Sequence, residues 1–569
     1  MYYNNKNFTD NGTKIMAFGP EFISGLAGEI RKILPLRINR IEGGDSWAAL
    51  KVSGEKWLLM SWTSGAAGIC TATQPEINAL REISPSRASI TEAMKSRLSH
   101  GSEIYSVRQI NHDRILELSA RRRVSAGVSV NYSIILEITE PVANFLLLDE
   151  SGKIDEAARH SAPDTNRYRT ILPGHSYTPP PEFDGLTLTH GMNLHAEDVP
   201  NVKGIGRPLA RLIMSQWAER KPESWLSALL KIADGDSDSV CRVIIRNNYL
   251  TRIDFPLEGT RELGRDSLMA ARFGVLVPLL RRGREKTLHE IDAKIKRAVK
   301  AKERHRDGLA KQLRECREAE IFRAKGEAIL SHMYEIPKRA ENITITDWDG
   351  SILEITLDPD LSPSRNAERY FKRYRKAKGN PAEISASLDA VNSSILELKE
   401  QRTLLEAIDD PENFTEAVKD LAEWISPAKT QSRNPKRKRE NIPPHLNIDR
   451  DGVNIIVGLS ARGNRYVTLK TARPEDIWLH AHEMPGAHVI IRGLKRSELE
   501  TDRRDILEFA AGLAAGHSSG KNSGSVPVDY TERKYVRSVP GTVALVTYTN
   551  PGTLRVSPAE YQGGDIHEG

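Results

Sequence analysis

The stretch LHEIDAKIKRAVKAKERHRDGLAKQLREC, residues 288–316, decides how the middle of this chain folds. Leu288, Ile291, Ile295, Ala298, Lys302, His305, Leu309, Gln312 and Cys316 recur at alternating steps of three and four, the period of one stripe along a long helix. A second stripe, Ile384, Leu388, Val391, Ile395, Leu398, Arg402 and Leu405, has the same period. Neither stripe can bury itself, so the two predict the arms of a long antiparallel coiled-coil hairpin with an inserted middle segment. Each arm covers the other's seam despite a few polar interruptions.

Charge concentrates on the outer faces of that hairpin. Residues 281–306 hold eleven Lys or Arg against four acidic residues, and residues 365–378 hold seven against one. A charged coiled-coil face is ordinarily just solvated. The second cluster, however, interleaves Tyr370, Phe371 and Tyr374 with its cations, a mixture suited to neutralising phosphates with stacking nearby. Arg369, Lys372, Arg373 and Arg375 are therefore candidate nucleic-acid contacts, with a protein groove as the alternative partner.

Upstream, Phe22, Ile23, Leu26, Ile30, Ile33 and Leu34 keep helical spacing, while residues 51–62, 103–118, 132–138 and 144–148 read as strands. They predict an N-terminal α+β domain over residues 16–183, ending near a run of three prolines. Residues 184–270 carry a helical region, about 193–254, containing Val199-Pro-Asn-Val-Lys-Gly204-Ile-Gly206-Arg-Pro-Leu-Ala-Arg-Leu-Ile213. Its apolar-Gly-apolar-Gly register fits a helix-hairpin-helix domain. Gly204 and Gly206 permit a tight turn, and N–H groups at the next helix start can hold a phosphate without regard to sequence. A helical corner that binds nothing is the other reading.

The coiled coil and its middle segment occupy residues 271–430. Residues 431–445, with Arg433, Lys436, Arg437, Lys438 and Arg439 closed by prolines, read as an exposed basic linker. A last α+β domain covers 446–562, with strands expected at 455–459, 466–470, 488–492 and 543–548 and a helix at 501–515. The whole is a multidomain α+β chain.

Composition narrows the class. At 569 residues the chain exceeds what one core organises, and roughly three to five domains are expected. With 39% apolar and 28% charged residues it is a folded globular protein. Lys plus Arg exceed Asp plus Glu by 82 to 76, a formal +6, so the partner must be sought in local clusters. Cys70, Cys241 and Cys316 are too scattered for a disulfide framework or a CxxC zinc site and fit a reducing cytoplasm. No apolar run approaches the roughly 20 residues of a membrane span. Residues 1–15 are Asn-rich and lack the apolar core of a secretory signal; they read as an extension, with Met16 as an alternative start.

Three motifs invite chemistry and do not sustain it. Asp476-Ile-Trp478-Leu-His480-Ala-His482-Glu-Met-Pro485-Gly486-Ala-His488 suggests a metal or a catalytic base, but a zinc site would want a fourth ligand and supporting residues; core packing or surface recognition are the roles weighed, and no metal is expected. Gly516-His-Ser-Ser-Gly520-Lys521-Asn522 is one residue short of a P-loop and carries Asn522 where Mg²⁺ needs Ser or Thr, which excludes nucleotide hydrolysis. Pro20-Glu21 resembles the start of DNA glycosylases that attack with a proline amine, yet Pro20 is internal and amide-bonded.

Taken in order, the motifs resemble the NFACT family of ribosome quality-control factors, of the bacterial RqcH type formerly known as fibronectin-binding proteins, over nearly the whole chain from Met16. Gln109-Ile-Asn-His-Asp113-Arg114-Ile115 is similar to the family's Asp-Arg motif. Leu136-Glu137-Ile138 and Asn144-Phe-Leu-Leu-Leu-Asp149 are similar to the strands behind it, and Arg169-Thr-Ile-Leu-Pro-Gly174 through Tyr177 to the domain's close. Leu361-Ser-Pro-Ser-Arg-Asn366-Ala367-Glu-Arg-Tyr370-Phe371-Lys-Arg-Tyr374 resembles its coiled-coil domain; residues 476–488 and Pro540-Gly541-Thr-Val543 resemble its C-terminal RNA-binding domain. Gly19-Pro20 stands where the family usually has Asp-Gly, and Thr139-Glu140 where it has Met-Gly.

The resemblance implies a cytoplasmic factor, monomeric on the ribosome, that binds large ribosomal subunits obstructed by peptidyl-tRNA. Its coiled coil would reach ribosomal RNA and the stalk-base protein. It would recruit alanyl-tRNA for mRNA-independent C-terminal alanine tailing, which marks the stalled chain for degradation. The ribosome would form the peptide bonds, so neither catalytic residues nor a cofactor are expected in this chain. The implied tRNA site is Asp113, Arg114, Glu137 and Ile138.

Physically, the planar fork of Arg114 can clamp a phosphate or base edge, with Asp113 orienting it or accepting from a base amino group. A turn-capping Asp beside a surface Arg is the bland alternative. In the last domain Asp476, Trp478, His480, Pro485, Gly486 and His488 form the expected RNA-binding segment, with rings to stack on unpaired bases; packing is the alternative for Trp478. Two other classes stand beside this one: a surface fibronectin-binding adhesin, which requires export, and a DNA-binding repair protein, which requires strand or base cleavage.

Overall fold

The computed structural model describes residues 16–559 except 53–55, 85–87, 99–100, 126–127, 165–167, 234–240, 347–349 and 426–441. The extension 1–15 and most of the expected basic linker lie outside the described residues. The chain divides at Thr287/Leu288 into two compact units.

In the first unit, helix Pro20–Lys32 buries one apolar face, with Phe22, Ile23, Leu26 and Ile30 inaccessible to solvent. Burial of each contributes roughly 1.5–3 kcal/mol. Two antiparallel sheets share that core. One has four strands, Arg40–Gly43, Trp47–Lys51, Trp57–Ser61 and Gly68–Ala72. The other has six, in the order Ile154–Ala157, Asn144–Leu148, Val128–Glu137, Ile115–Ser125, Glu103–Gln109, Leu36–Arg37. The strand expected over 103–118 is thus two strands, because Asn111 and His112 take positive φ (53° and 49°) and fold the chain back between them.

The region expected to be helical as far as 254 is helical only in part. Helices Arg207–Ser215 and Pro222–Ala233 are followed by strands Arg242–Arg246, Tyr249–Ile253 and Arg261–Gly264, and Ala17–Phe18 pairs in parallel with Tyr249–Leu250. Asn247 and Asn248, at φ 49° and 63°, make the two-residue hairpin turn, a signal present in the sequence between Val-Ile-Ile and Leu-Thr. The element ahead of Gly204 is a six-residue 3-10 turn, Ala196–Asn201, broken by Pro200, and not the α-helix a full helix-hairpin-helix would supply.

The 56-residue helix Leu276–Ser331 starts in the first unit and runs into the second. Its return arm is two helices, Pro363–Ala377 and Pro381–Ala407. Contacts pair rising numbers with falling ones, as an antiparallel arrangement requires. Ile291, Ile295 and Val299 join Ile395, Leu398 and Leu405 in one apolar cluster; Cys316 Sγ donates to the carbonyl of Ala377; Ala328 and Ile329 meet Ala367 and Tyr370. The inserted segment is the hairpin Asn342–Thr346 and Ile352–Thr356. Of the expected seam, His305, Gln312 and Arg402 are exposed, whereas Leu313, outside the stripe, is half-buried. A straight helix drifts about 20° per heptad against a 3.5-residue stripe, which moves the buried line off the strict repeat.

The end of the second unit is a six-stranded antiparallel sheet, in the order His445–Arg450, Val453–Gly458, Val489–Ile491, Ile477–Ala481, Val526–Glu532, Gly552–Val556. Helix Arg504–Gly516 covers one face. The strand expected at 466–470 is instead helical: Ala461–Tyr466, started by the Ser460 hydroxyl accepting the N–H of Gly463, runs into a π-turn at Val467–Thr471. Burial of Val467 beside Trp478 overrides the strand propensity of Val and Thr there. No helix of the described residues is long and apolar enough to cross a membrane.

Glu397 joins the return helix to this sheet domain. Its buried carboxylate accepts the N–H groups of Val543, at 2.9 Å, and of Ala544. Glu397→Ala strands both donors and should lower the stability of the second unit by about 1–3 kcal/mol. A urea midpoint identical to that of the unaltered protein would contradict this assignment.

Candidate nucleic-acid interface

The turn between strands Glu103–Gln109 and Ile115–Ser125 presents Asp113 and Arg114 half-exposed. It is held from behind. The N–H of Asp113 donates to Ile110 O at 3.0 Å, Gln109 Nε2 donates to Pro20 O (2.8 Å) and Asp113 O (2.7 Å), and the N–H of Ile138 donates to Arg114 O at 2.8 Å. Asp113 Oδ1 accepts the N–H of Arg114 at 2.7 Å and lies 3.7 Å from its Nε. The capping role and a half-exposed guanidinium therefore coexist in one turn.

Gly204 and Gly206 stand at the same corner. Gly204, at φ 79°, takes the left-handed conformation that glycine allows, and a Cβ there would lie 3.5 Å from His112 Cβ. Gly206 caps helix Arg207–Ser215, but its N–H is already engaged, donating to Glu21 Oε2 at 2.8 Å. Glu21 is wholly buried; its Oε1 also accepts from Thr251 Oγ1 (2.6 Å) and Tyr249 OH (3.1 Å). Burial pushes its carboxyl above the ordinary 4.5 against the pull of these donors. The Gly206 amide expected to hold a phosphate instead holds an internal carboxylate. Nothing in the sequence beyond the Pro20-Glu21 pair points to Glu21.

Glu137 and Ile138, expected to touch tRNA, are buried. Glu137 accepts a two-pronged bond from Arg169 (2.5 and 2.7 Å) and a third from Tyr177 OH (2.9 Å), clamping segment 169–177 onto the sheet. The buried pair braces the Asp113–Arg114 turn from behind.

On helix Pro363–Ala377, Arg369, Lys372, Arg373 and Arg375 are all exposed. Arg369 Nη1 lies 3.1 Å from Asp358 Oδ2, and Arg373 covers the rings of Phe322 and Tyr370. Lys372 and Arg375 form no ion pair among the described residues. The interleaved aromatics do not serve as an exposed stacking platform: Tyr370 is buried and donates to Thr356 O at 2.7 Å, and Phe371 packs into the same cluster.

The last segment is mostly interior. Trp478 is inaccessible, its Nε1 without a partner, ringed by His480, His488 and Tyr548 at centroid distances of 5.7, 5.2 and 4.9 Å. Packing therefore accounts for Trp478 and for His488, which hydrogen-bonds Thr468 Oγ1 through Nδ1 at 2.8 Å. Buried Asp476 accepts the N–H groups of Arg473 (2.8 Å) and Gly493 (3.2 Å), a structural cap. Gly486 is buried, and its carbonyl accepts from Asn464; Pro485 is half-buried, and its carbonyl accepts the N–H of Ser519. Trp478 and His488 thus turn their rings into the domain and offer no free face to a base, while His480 beside them is half-buried.

His482, named in the motif but not among the expected RNA contacts, is exposed, as is Glu483, and its Nδ1 donates to Asp529 Oδ2 at 2.6 Å. Asp529 also accepts from Tyr548 OH (2.7 Å) and Thr553 Oγ1 (2.6 Å). Burial would raise the Asp529 carboxyl, but these hydrogen bonds hold it below its ordinary range, and Asp529 in turn raises His482. Burial lowers His480 to about 4. Among the described residues no group of three or more His, Cys, Asp or Glu side chains is arranged to hold a metal ion.

Two measurements check this geometry. In an NMR pH titration His482 should have its midpoint above 6.5 and His480 near 4, with Asp529→Asn returning His482 toward 6.5; a His482 midpoint indifferent to Asp529 would contradict the pairing. Gly206→Ala places a Cβ 1.8 Å from Tyr249 OH and should cost about 1–3 kcal/mol without any RNA present. An unchanged unfolding midpoint would show that the corner is not closed.

The family model described as NFACT N-terminal and middle domains matches residues 22–209 and 279–440. The chain is 30% identical over 490 residues to Rqc2 homolog RqcH of Streptococcus suis (strain 05ZYH33), covering 81% of this chain and 83% of that protein. It is 27% identical over 496 residues to Rqc2 homolog RqcH of Bacillus subtilis (strain 168), covering 80% and 83%. Among solved structures, the C-terminal part of the fibronectin/fibrinogen-binding protein from Streptococcus suis aligns at a TM-score of 0.33 and 27% identity, over 48% of this chain and 96% of that one. By the extent of these matches the chain belongs to the NFACT family, and its relatives are of the RqcH type.

Proposed function

We propose that this chain is a ribosome quality-control factor that binds large subunits obstructed by peptidyl-tRNA and recruits alanyl-tRNA for mRNA-independent alanine tailing of the stalled chain. Family membership supports the class of function. The observation that carries the tRNA assignment is the Asp113–Arg114 turn, the part of the expected tRNA site that stays accessible while Glu137 and Ile138 brace it from below. A planar guanidinium set by a neighbouring carboxylate suits a phosphate or a base edge.

The exposed cations of helix Pro363–Ala377 supply a separate contact, with ribosomal RNA at the stalk base as the proposed partner. Its energy comes from counterion release: neutralising about four phosphates makes log K fall with log salt at a slope of about −3 to −4. The protein supplies positions and charge, and the ribosome's own RNA supplies the catalysis.

Affinity purification of the full chain from cells should recover large subunits together with one class of tRNA. Asp113→Ala combined with Arg114→Ala should reduce the tRNA at least tenfold and leave subunit recovery unchanged. Undiminished tRNA in that variant removes the site assignment; strand or base cleavage by ribosome-free protein would favour a repair enzyme.

A further inference from the structure

The outer face of the six-stranded sheet in the first unit carries four arginines that neither the Asp113–Arg114 turn nor its braces employ. Side chains alternate along a strand, so residues two apart share a face. Register places Arg37 opposite Glu103, Glu103 opposite Arg121, Arg108 opposite Glu117 and Arg123 opposite Ser129. Arg37, Arg108, Arg121 and Arg123 therefore stand on one face, across three adjacent strands, and all four are exposed. Two carboxylates answer them: Glu117 holds Arg108 at 2.5 Å, and Glu103 pairs with Arg121. Arg37 and Arg123 form no ion pair among the described residues. Four cations against two anions leave two unbalanced positive charges.

The rest of the face is small and polar, with Ser106, Ser119, Asn131 and Ser133 between the arginines. One aromatic, Tyr105, lies under the Arg121 guanidinium at 5.6 Å. Further along the same face Ile171 and Tyr177 cover the sheet, so the open area begins where Glu137 and its clamp end. A protein interface core is built on several apolar anchors, and the positions named here supply one ring, Tyr105, already covered by Arg121. A flat field of guanidinium groups and hydroxyls suits sugar–phosphate backbone, contacted without sequence discrimination.

We infer that this sheet face is a second contact for RNA, gripping the phosphodiester backbone of the molecule whose other contact is the Asp113–Arg114 turn. It rests on the tRNA reading of that turn, which lies at the end of the same two strands.

The test uses full-length protein and purified tRNA, with affinity measured across a salt series for Arg37→Gln/Arg123→Gln, Arg37→Lys/Arg123→Lys and Asp113→Ala/Arg114→Ala. The Gln pair removes cations that hold nothing inside the protein, so its thermal unfolding should match the unaltered chain. It should bind tRNA three- to tenfold more weakly at low salt, with the slope of log K against log salt shallower by about 1.4–1.8, two phosphates' worth; the Lys pair should keep the slope. Unaltered affinity and slope in the Gln pair would overturn the inference. If the turn variant weakens binding while the Gln pair does not, the sheet contact alone falls. If the turn variant binds as well as the unaltered chain, the reading beneath it falls. Loss of binding to an acidic polypeptide with tRNA affinity intact would make the face a protein contact and overturn the RNA assignment.

Discussion

Glu21 has no water to face, and what it holds instead organises one corner of the first unit. A carboxylate out of solvent is costly unless its oxygens are satisfied. Here the donors come from residues 185 and 230 positions away, Gly206 and Thr251. The same few ångströms thus tie the N-terminal helix, the start of helix Arg207–Ser215 and strand Tyr249–Ile253. The hairpin at Gly204 is thereby pinned beside His112, next to the turn that presents Asp113 and Arg114. Gln109, bridging Pro20 O and Asp113 O, carries that anchoring into the turn itself.

The arrangement recurs. Glu137 clamps Arg169 and Tyr177, Glu397 holds Val543 and Ala544, Asp476 caps Arg473 and Gly493, and Asp529 gathers His482, Tyr548 and Thr553. Each is a buried carboxylate acting as an internal cross-link. The formal charge of only +6 averages over stretches as basic as residues 365–378, with seven Lys or Arg against one acidic residue. A modest net charge is therefore a poor guide to partner class, and the local clusters are a better one.

Periodicity makes the long helix and its return legible, because so long an apolar stripe escapes water only against a facing helix, and it locates the basic cluster on the second arm. What it misses are places where short segments lack a period of their own. Residues 466–470 have strand-forming side chains but are bent into a helix by the cap at Ser460 and the pocket around Trp478. Residues 242–253 fall inside the expected helical region although Asn247-Asn248 announces a hairpin. At the sites the difficulty is direction. A one-dimensional reading cannot separate Arg114, half-exposed, from Glu137, buried and already satisfied, nor His482 from His488 six residues later. Which face a ring or carboxylate occupies is decided by strand register, and register is set by partners distant in sequence.

The central claim is that this chain holds structured RNA through exposed cations in each unit, braced by buried carboxylates. Ultraviolet crosslinking in cells, followed by sequencing of the attached RNA and mapping of the attached peptides, tests it most directly. The account predicts transfer RNA on peptides containing residues 103–123 and ribosomal RNA on peptides from helix Pro363–Ala377. Crosslinks confined to other peptides, or no RNA recovered at all, would contradict it.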